Sequence, residues 1–173
     1  TSHWAPSFPL CFCWYSSALS FKFTYLNSHS MASIKRSALV QYSTDQMFDL
    51  VNDIEKYPEF MLGCVEAVVI DRDGESIVGK LKLSRAGITQ EFTTKNLLRR
   101  PNLIEMQLVE GKFKSFSAQW SFDELGDNAC KVALSMDFEF DSFLIDTAAE
   151  KLLMSSANSL VDAIVLRAKE TYG

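Results

Sequence analysis

Apolar positions change their spacing several times along this chain, and each change marks an element. In "SIKRSALVQYS" (33–43), Ile34, Arg36, Ala38, Val40 and Tyr42 alternate with Lys35, Ser37, Leu39 and Gln41, a moderate two-residue period that predicts a strand. "STDQMFDLVNDI" follows, with Ser43 or Thr44 placed to cap a helix and Met47, Phe48, Leu50, Val51 and Ile54 at helical spacing. A second short helix is predicted from about Glu55 into Phe60, bounded by Gly63, with Pro58 in the first turn, where its missing N–H is tolerated. From Cys64 the period is two again. "VEAVVID" and "GESIVGKLKLS" flank a turn at Asp73-Gly74, and "GITQEFTTKNLLRR" and "NLIEMQLVEG" follow after Ala86-Gly87 and Pro101-Asn102. "FSAQWSFDEL" sets Phe116, Ala118, Trp120 and Phe122 against Ser117, Gln119 and Ser121. "KVALSMDFEF" sets Val132, Leu134, Met136, Phe138 and Phe140 against Lys131, Ala133, Ser135, Asp137 and Glu139. A sheet with one greasy and one wet face, joined by short turns, is an antiparallel meander of about six strands.

The last thirty or so residues, "SFLIDTAAEKLLMSSANSLVDAIVLRAKETY", return to helical spacing. Ile145, Ala149, Leu152, Leu153, Ser156, Leu160, Ala163, Ile164 and Arg167 form one stripe, widened by Met154, Val161 and Val165. Such a broad apolar arc suits packing on a curved sheet. The architecture expected is α+β: a strand, two short helices, a six-stranded antiparallel meander and a long C-terminal helix on the sheet.

Composition adds boundaries to this picture. With 173 residues and 47% hydrophobic content, the chain can build one well-cored domain. Residues 1–30 contain no Gly, Asp or Glu and eight of the 21 aromatics, and are expected to be a non-native or disordered leader before a domain running from Met31 to Gly173. Both histidines, His3 and His29, fall in the leader. The domain therefore lacks the usual neutral-pH acid/base, and no carboxylate, Lys or Tyr is singled out by spacing, so an enzyme is not expected. The four cysteines, Cys11, Cys13, Cys64 and Cys130, show no metal-ligand spacing and are read as reduced thiols. No run approaches the roughly 18 apolar residues of a membrane-spanning helix. Charge is uneven: residues 80–114 carry eight basic and three acidic groups, whereas the rest of the domain carries eight basic and nineteen acidic. A locally basic strip on an acidic protein suits contact with anionic lipid or RNA, with a solvated strand face as the plain alternative; DNA binding is not expected.

The segments "ALVQYSTDQMFDLVNDIEKYPEFMLGC", "SRAGITQEFTTKN", "LVEGKFKSFSAQWSF", "MDFEFDS" and "RAKETYG" closely resemble the bacterial RatA family, whose relatives include mitochondrial coenzyme Q-binding proteins. Leu62 departs from the Pro usual at its position. The resemblance implies the helix-grip arrangement of START-like domains in the polyketide cyclase superfamily, with a tunnel between sheet and last helix. It also implies two different functions, of which the first is the one expected here: ubiquinone held in the tunnel, as carrier or chaperone in support of respiration and with no cofactor required; the alternative is a toxin that binds the large ribosomal subunit and blocks subunit association and translation initiation. Aromatase and cyclase chemistry, also hosted by this fold, is the remote third. A cytoplasmic bacterial protein is implied, with peripheral contact at the inner membrane as a further option.

On that arrangement, Tyr57, Pro58, Phe60 and Met61 are expected to form a lip facing the "VEGKF" turn at Val109, Gly111 and Phe113. The expected tunnel wall is Leu81, Leu83, Phe92, Met106, Leu108, Phe116, Trp120, Phe138 and Phe140 from the sheet, with Leu153, Leu160 and Ile164 from the helix. For any one of these residues, core packing is the competing role. Ser156 and Asn158 could offer a hydrogen bond to a quinone carbonyl, but solvation or helix-local bonding is the role expected of them. Lys112 and Lys114, then Arg99 and Arg100, are the candidates for lipid headgroups or RNA phosphates.

Overall fold

The computed structural model describes residues 31–141 and 147–173; the expectation for residues 1–30, and Ile145 in the helical stripe, lie outside the described residues. Strand β1 (Ala32–Val40) leads into helix α1 (Thr44–Asn52), a single 3-10 turn (Ile54–Lys56) and the short helix α2 (Tyr57–Phe60). The meander follows as β2 (Cys64–Arg72), β3 (Ser76–Arg85), β4 (Ile88–Arg99), β5 (Leu103–Glu110), β6 (Phe113–Gly126) and β7 (Ala129–Phe140), and α3 (Thr147–Tyr172) ends the chain. All pairings are antiparallel, in the order β1-β7-β6-β5-β4-β3-β2. The predicted β1 thus becomes the seventh strand by pairing with β7.

Local chemistry accounts for the junctions. Ser43 Oγ accepts from the Gln46 backbone N–H at 3.2 Å while Gln46 Oε1 accepts from the Ser43 N–H at 2.9 Å, a reciprocal cap that starts α1. Tyr57 is buried, and its hydroxyl donates to the Val51 carbonyl at 2.7 Å, tying α2 back to the end of α1. In the β2–β3 turn, Asp73 accepts from the N–H groups of Glu75 and Ser76 and from the Ser76 hydroxyl, and Gly74 takes a φ of 88°. Strand β6 begins earlier than alternation alone indicated, because Phe113 pairs with Phe140; only Gly111 and Lys112 remain to connect β5 to β6.

Helix α3 lays Ala149, Leu152, Leu153, Ser156, Ala157, Leu160, Val161, Ile164 and Ala168 against the concave face of the sheet. Its exit is anchored by Tyr172, whose ring packs 5.8 Å from Tyr42 and whose hydroxyl donates to the Gln46 carbonyl at 3.2 Å. Arg36–Asp162 and Arg167–Glu59 contacts at 3.0 and 2.7 Å link the helix to β1 and α2. Trp120, Phe122, Val132, Leu134 and Phe138, all on the inward faces of β6 and β7, are each 2% exposed or less.

The β3–β4 turn carries a local conflict. Ala86 has φ 52° and Gly87 φ 81°, the left-handed pair that a two-residue hairpin between Arg85 and Ile88 requires. Glycine enters that region freely, whereas alanine does so at a cost of about 1 kcal/mol. Ala86→Asn is therefore expected to stabilise the protein by about 0.5–1 kcal/mol, read as a raised urea midpoint at unchanged slope.

Candidate functional site

Between the concave face and α3 lies a cavity lined by Ile54, Tyr57, Met61, Gly79, Leu81, Leu83, Phe92, Thr94, Asn96, Met106, Phe113, Phe116, Trp120, Met136, Phe138, Leu153, Ala157 and Leu160. The volume open to the centres of water-sized molecules is about 60 Å³. That is well below the roughly 300–1,000 Å³ of ordinary small-molecule pockets, and short of a polyprenyl chain in the form seen here.

The sheet opens at one corner of this cavity. Strands β5 and β6 pair only from Leu103↔Ser121 to Gln107↔Ser117; beyond that, β6 is held by β7 through Phe113↔Phe140, and β5 by β4 through Thr93↔Glu110. The corner is filled by the Phe113 ring, whose centroid lies 5.3–6.0 Å from those of Phe92, Phe116, Phe138 and Phe140. Gly111 permits this approach: a Cβ there would stand 3.0 Å from Phe92 Cβ and 3.1 Å from the Phe113 ring. Gly79 does the same in the wall, where a Cβ would meet Ile54 Cδ1 at 3.0 Å.

Of the residues expected at the tunnel, Tyr57, Met61, Leu81, Leu83, Phe92, Met106, Phe113, Phe116, Trp120, Phe138, Leu153 and Leu160 border the cavity. The others stand elsewhere. Pro58 is exposed in the first turn of α2, and Phe60 is half-buried, packed on the Tyr57 ring with the Arg167 guanidinium 5.8 Å from its centroid. The lip is therefore a wall: Tyr57 and Met61 face inward because α2 turns its other side to solvent. Val109 is the extra residue of a bulge, where Thr93 pairs with Glu110 but Thr94 with Leu108, and is 58% exposed. Leu108 is half-buried beside that bulge, Phe140 stacks behind Phe113, and Ile164 is fully buried in the core without bordering the cavity.

Of the two polar helix residues, Asn158 takes the helix-local role expected of it. Asn158 is exposed and donates to the Met154 carbonyl at 2.9 Å, as helix-local bonding requires. Ser156 is fully buried, but its Oγ faces Gly63, where a Cβ would lie 3.3 Å away. The polar residues that do border the cavity are Thr94 and Asn96, which follow Phe92 at two-residue steps along β4. Alternation in "EFTTKN" carries that signal, and Met136 is likewise legible in the greasy face of β7. Ile54, Gly79 and Ala157 come to the cavity only through tertiary packing.

Burial sets the titration of the interior thiols and phenol. Burial pushes the Cys64 thiol up to about 11 and that of Cys130 upward as well, the reverse of an activated nucleophile. Burial raises the Tyr57 phenol too, so it stays protonated. No cluster of metal-ligating side chains and no helix long and apolar enough to cross a membrane occurs among the described residues.

The four basic candidates divide by their partners. Arg100 donates to Asp45 at 2.8 Å and to Asp49, with its guanidinium carbon 4.8 Å from the Phe48 ring centroid, so it clamps the β4–β5 turn onto α1. Arg99 pairs with Glu105 and Lys114 with Glu139, each at 2.9 Å; Lys112 has no ionic partner among the described residues. Arg100→Ala is expected to lower stability by about 1–2 kcal/mol, measured by denaturant unfolding; an unchanged midpoint would show that the clamp is decorative.

Comparison with known proteins agrees with this architecture. The family described as polyketide cyclase / dehydrase and lipid transport matches residues 40–165. A ribosome association toxin, RatA, of Vibrio cholerae is 42% identical over 143 residues, covering 83% of this chain and 99% of that protein. A mitochondrial coenzyme Q-binding protein, COQ10, of Drosophila melanogaster is 24% identical, covering 80% of this chain and 59% of that protein. Among solved structures, the Zhui aromatase/cyclase from Streptomyces superposes with a TM-score of 0.69 at 17% identity, covering 83% of this chain and 97% of that one. A START superfamily protein from Mycobacterium smegmatis superposes with a TM-score of 0.67 at 19% identity, covering 82% and 99%. At such identities the two structures speak for the fold alone, which is START-like. With the family match spanning most of its length and a 42% identical relative aligned end to end, the chain belongs to the polyketide cyclase / dehydrase and lipid transport family, on its RatA branch.

Proposed function

We propose that this chain is a ribosome-association factor of the RatA type, which binds the large subunit and opposes its joining with the small one. The observation that carries this is the 42% identity to a ribosome association toxin over 99% of that protein's length. The narrow cavity points the same way, since about 60 Å³ leaves little room for a tunnel-filling lipid. RNA contact falls to the end of the sheet where the β3–β4 and β5–β6 turns expose Arg85, Lys112 and Lys114. The Lys114–Glu139 pair is exposed on the lysine side and weak enough to be exchanged for a phosphate. Arg99 and Arg100, already committed to carboxylates, are not part of this contact.

Sedimentation of the full chain with purified ribosomal subunits tests this. The protein is expected to travel with the large subunit and to reduce the yield of joined ribosomes. Lys112→Glu with Lys114→Glu should weaken binding about tenfold and lower the salt slope by about 2, one per lost phosphate contact. Failure of the unaltered chain to co-sediment at low salt would overturn the assignment; binding that ignores the double reversal would move the contact to another face.

The second candidate, an isoprenoid quinone carried in the cavity, draws on the apolar lining and on the coenzyme Q-binding relative. It requires the aromatic plug at Phe113 to swing away. Gentle purification from a quinone-producing host, followed by organic extraction and mass spectrometry, is expected to yield far less than one quinone per chain; a stoichiometric amount would reverse the order of the two functions.

A further inference from the structure

A second cleft, of about 250 Å³, opens on the outer face of the sheet, bordered by Lys80, Glu91, Thr93, Glu110, Gly111 and Lys112. Lys80 and Thr93 neighbour Leu81 and Phe92 in sequence and so point away from the interior cavity that those two line. Register explains the opening. Lys80 pairs with Thr93, and Thr93 with Glu110, so the three stand in one row across β3, β4 and β5. Strand spacing sets the backbones of Lys80 and Glu110 roughly 9.5 Å apart, with only the small, buried Thr93 side chain between them. The bulge at Val109 completes the row: Thr94 pairs with Leu108, so regular pairing would set Val109 against Thr93, and the extra residue brings a carboxylate there instead. Lys80 donates to Glu91 at 2.9 Å, a carboxylate that Lys82 also meets at 3.3 Å. That hydrogen bond, then the charges of Glu91 and Glu110, push the Lys80 ammonium above its usual range, so it stays cationic with N–H groups to spare. Glu110 and Lys112 have no partner at salt-bridge distance among the described residues. Two ammonium and two carboxylate groups leave the cleft without net charge, N–H donors at one end of the row and acceptor oxygens at the other.

We propose that this cleft receives an unpaired guanine base of RNA, a reading that rests on the RNA contact proposed above. The base's O6 accepts from Lys80, and its N1–H and N2–H groups donate to the Glu110 carboxylate, all on the edge that base pairing otherwise occupies. Lys112, exposed at the mouth beside Gly111, holds the attached phosphate. The two ends of the base then fall in the right order, because guanine carries its 2-amino group on the sugar side of the ring and O6 on the far side. Adenine in the same place turns an amino group toward Lys80 and a lone pair toward Glu110, so both contacts become repulsive. A phosphate by itself gains little inside the cleft, where Glu91 and Glu110 face it.

The probes are the 5′-monophosphates of guanosine, inosine and adenosine, titrated into the full chain and followed through the backbone amide signals of Thr93 and Gly111 in proton–nitrogen NMR spectra. Guanosine monophosphate is expected to bind about tenfold more tightly than adenosine monophosphate, with inosine monophosphate, which lacks the 2-amino group, between them. Glu110→Gln, at an exposed position, should bring the guanosine-to-adenosine ratio to about one. Lys112→Ala should weaken both nucleotides alike and leave that ratio in place. The pentaribonucleotide AAGAA is expected to bind more tightly than AAAAA; a preference seen with free nucleotides but lost between the pentamers would assign the cleft to a soluble nucleotide and overturn its RNA partner. No saturable shift with guanosine monophosphate, equal affinity for the two purines, or a ratio that survives Glu110→Gln would each overturn the proposal. Sedimentation stays separate. A chain that travels with the large subunit but ignores guanosine monophosphate loses this site alone, whereas one that prefers guanosine without travelling loses the ribosome assignment alone.

Discussion

Seven strands present one continuous apolar face, and a single helix has to cover it. The rest of the architecture follows from that mismatch of areas. Helix α3 seals the middle of the concavity with Leu152, Leu153, Leu160, Val161 and Ile164, but a cylinder roughly 10 Å across cannot reach both flanks of a curved sheet. One flank is closed by α1, whose Met47, Phe48 and Val51 are almost completely buried. The other is closed by the 3-10 turn and α2, through Ile54, Tyr57 and Met61, and by the Phe113 corner of the sheet itself. The cavity is the remainder, bounded by whichever side chains those three devices leave facing one another.

A remainder of this kind need not have one use. Large cavities in this architecture suit hydrophobic cargo, whereas a shrunken one serves as a nearly complete core with a polar residue inside it. Here the cavity is small, and its open corner is filled by Phe113, packed among Phe92, Phe116, Phe138 and Phe140. That ring lies beside the exterior end of the sheet, where Lys112, without an ionic partner among the described residues, is its sequence neighbour. The adjacency places any movement of Phe113 directly beneath the proposed RNA contact.

Charge along the chain proved a poor guide to charge available for binding. Residues 80–114 are rich in lysine and arginine, but the fold returns a carboxylate to most of them: Glu91 lies between Lys80 and Lys82, Asp45 and Asp49 close on Arg100, and Glu105 meets Arg99. These partners lie on neighbouring strands or on a helix some fifty residues earlier, so no window of sequence could reveal them. The hydrogen bonds from Lys80 and Lys82 hold the Glu91 carboxyl below its usual range, in keeping with a neutralised patch.

Alternation and helical spacing by themselves determined the order of elements, the inward face of each strand and the stripe of α3, because side-chain direction in regular structure is a function of position along one element. That is why Trp120, Phe138 and Leu160 could be assigned to the interior, and why Thr94 and Asn96 stand on the same face as Phe92. Only the tertiary structure decided which interior residues touch the cavity and which merely pack. Ile164 and Phe140 are as buried as the residues that border it, and Ile54 joins them because Gly79 has no Cβ to hold it off. Those outcomes depend on register, on the bulge at Val109 and on the parting of β5 from β6, all of them relations between segments that a one-dimensional period does not encode.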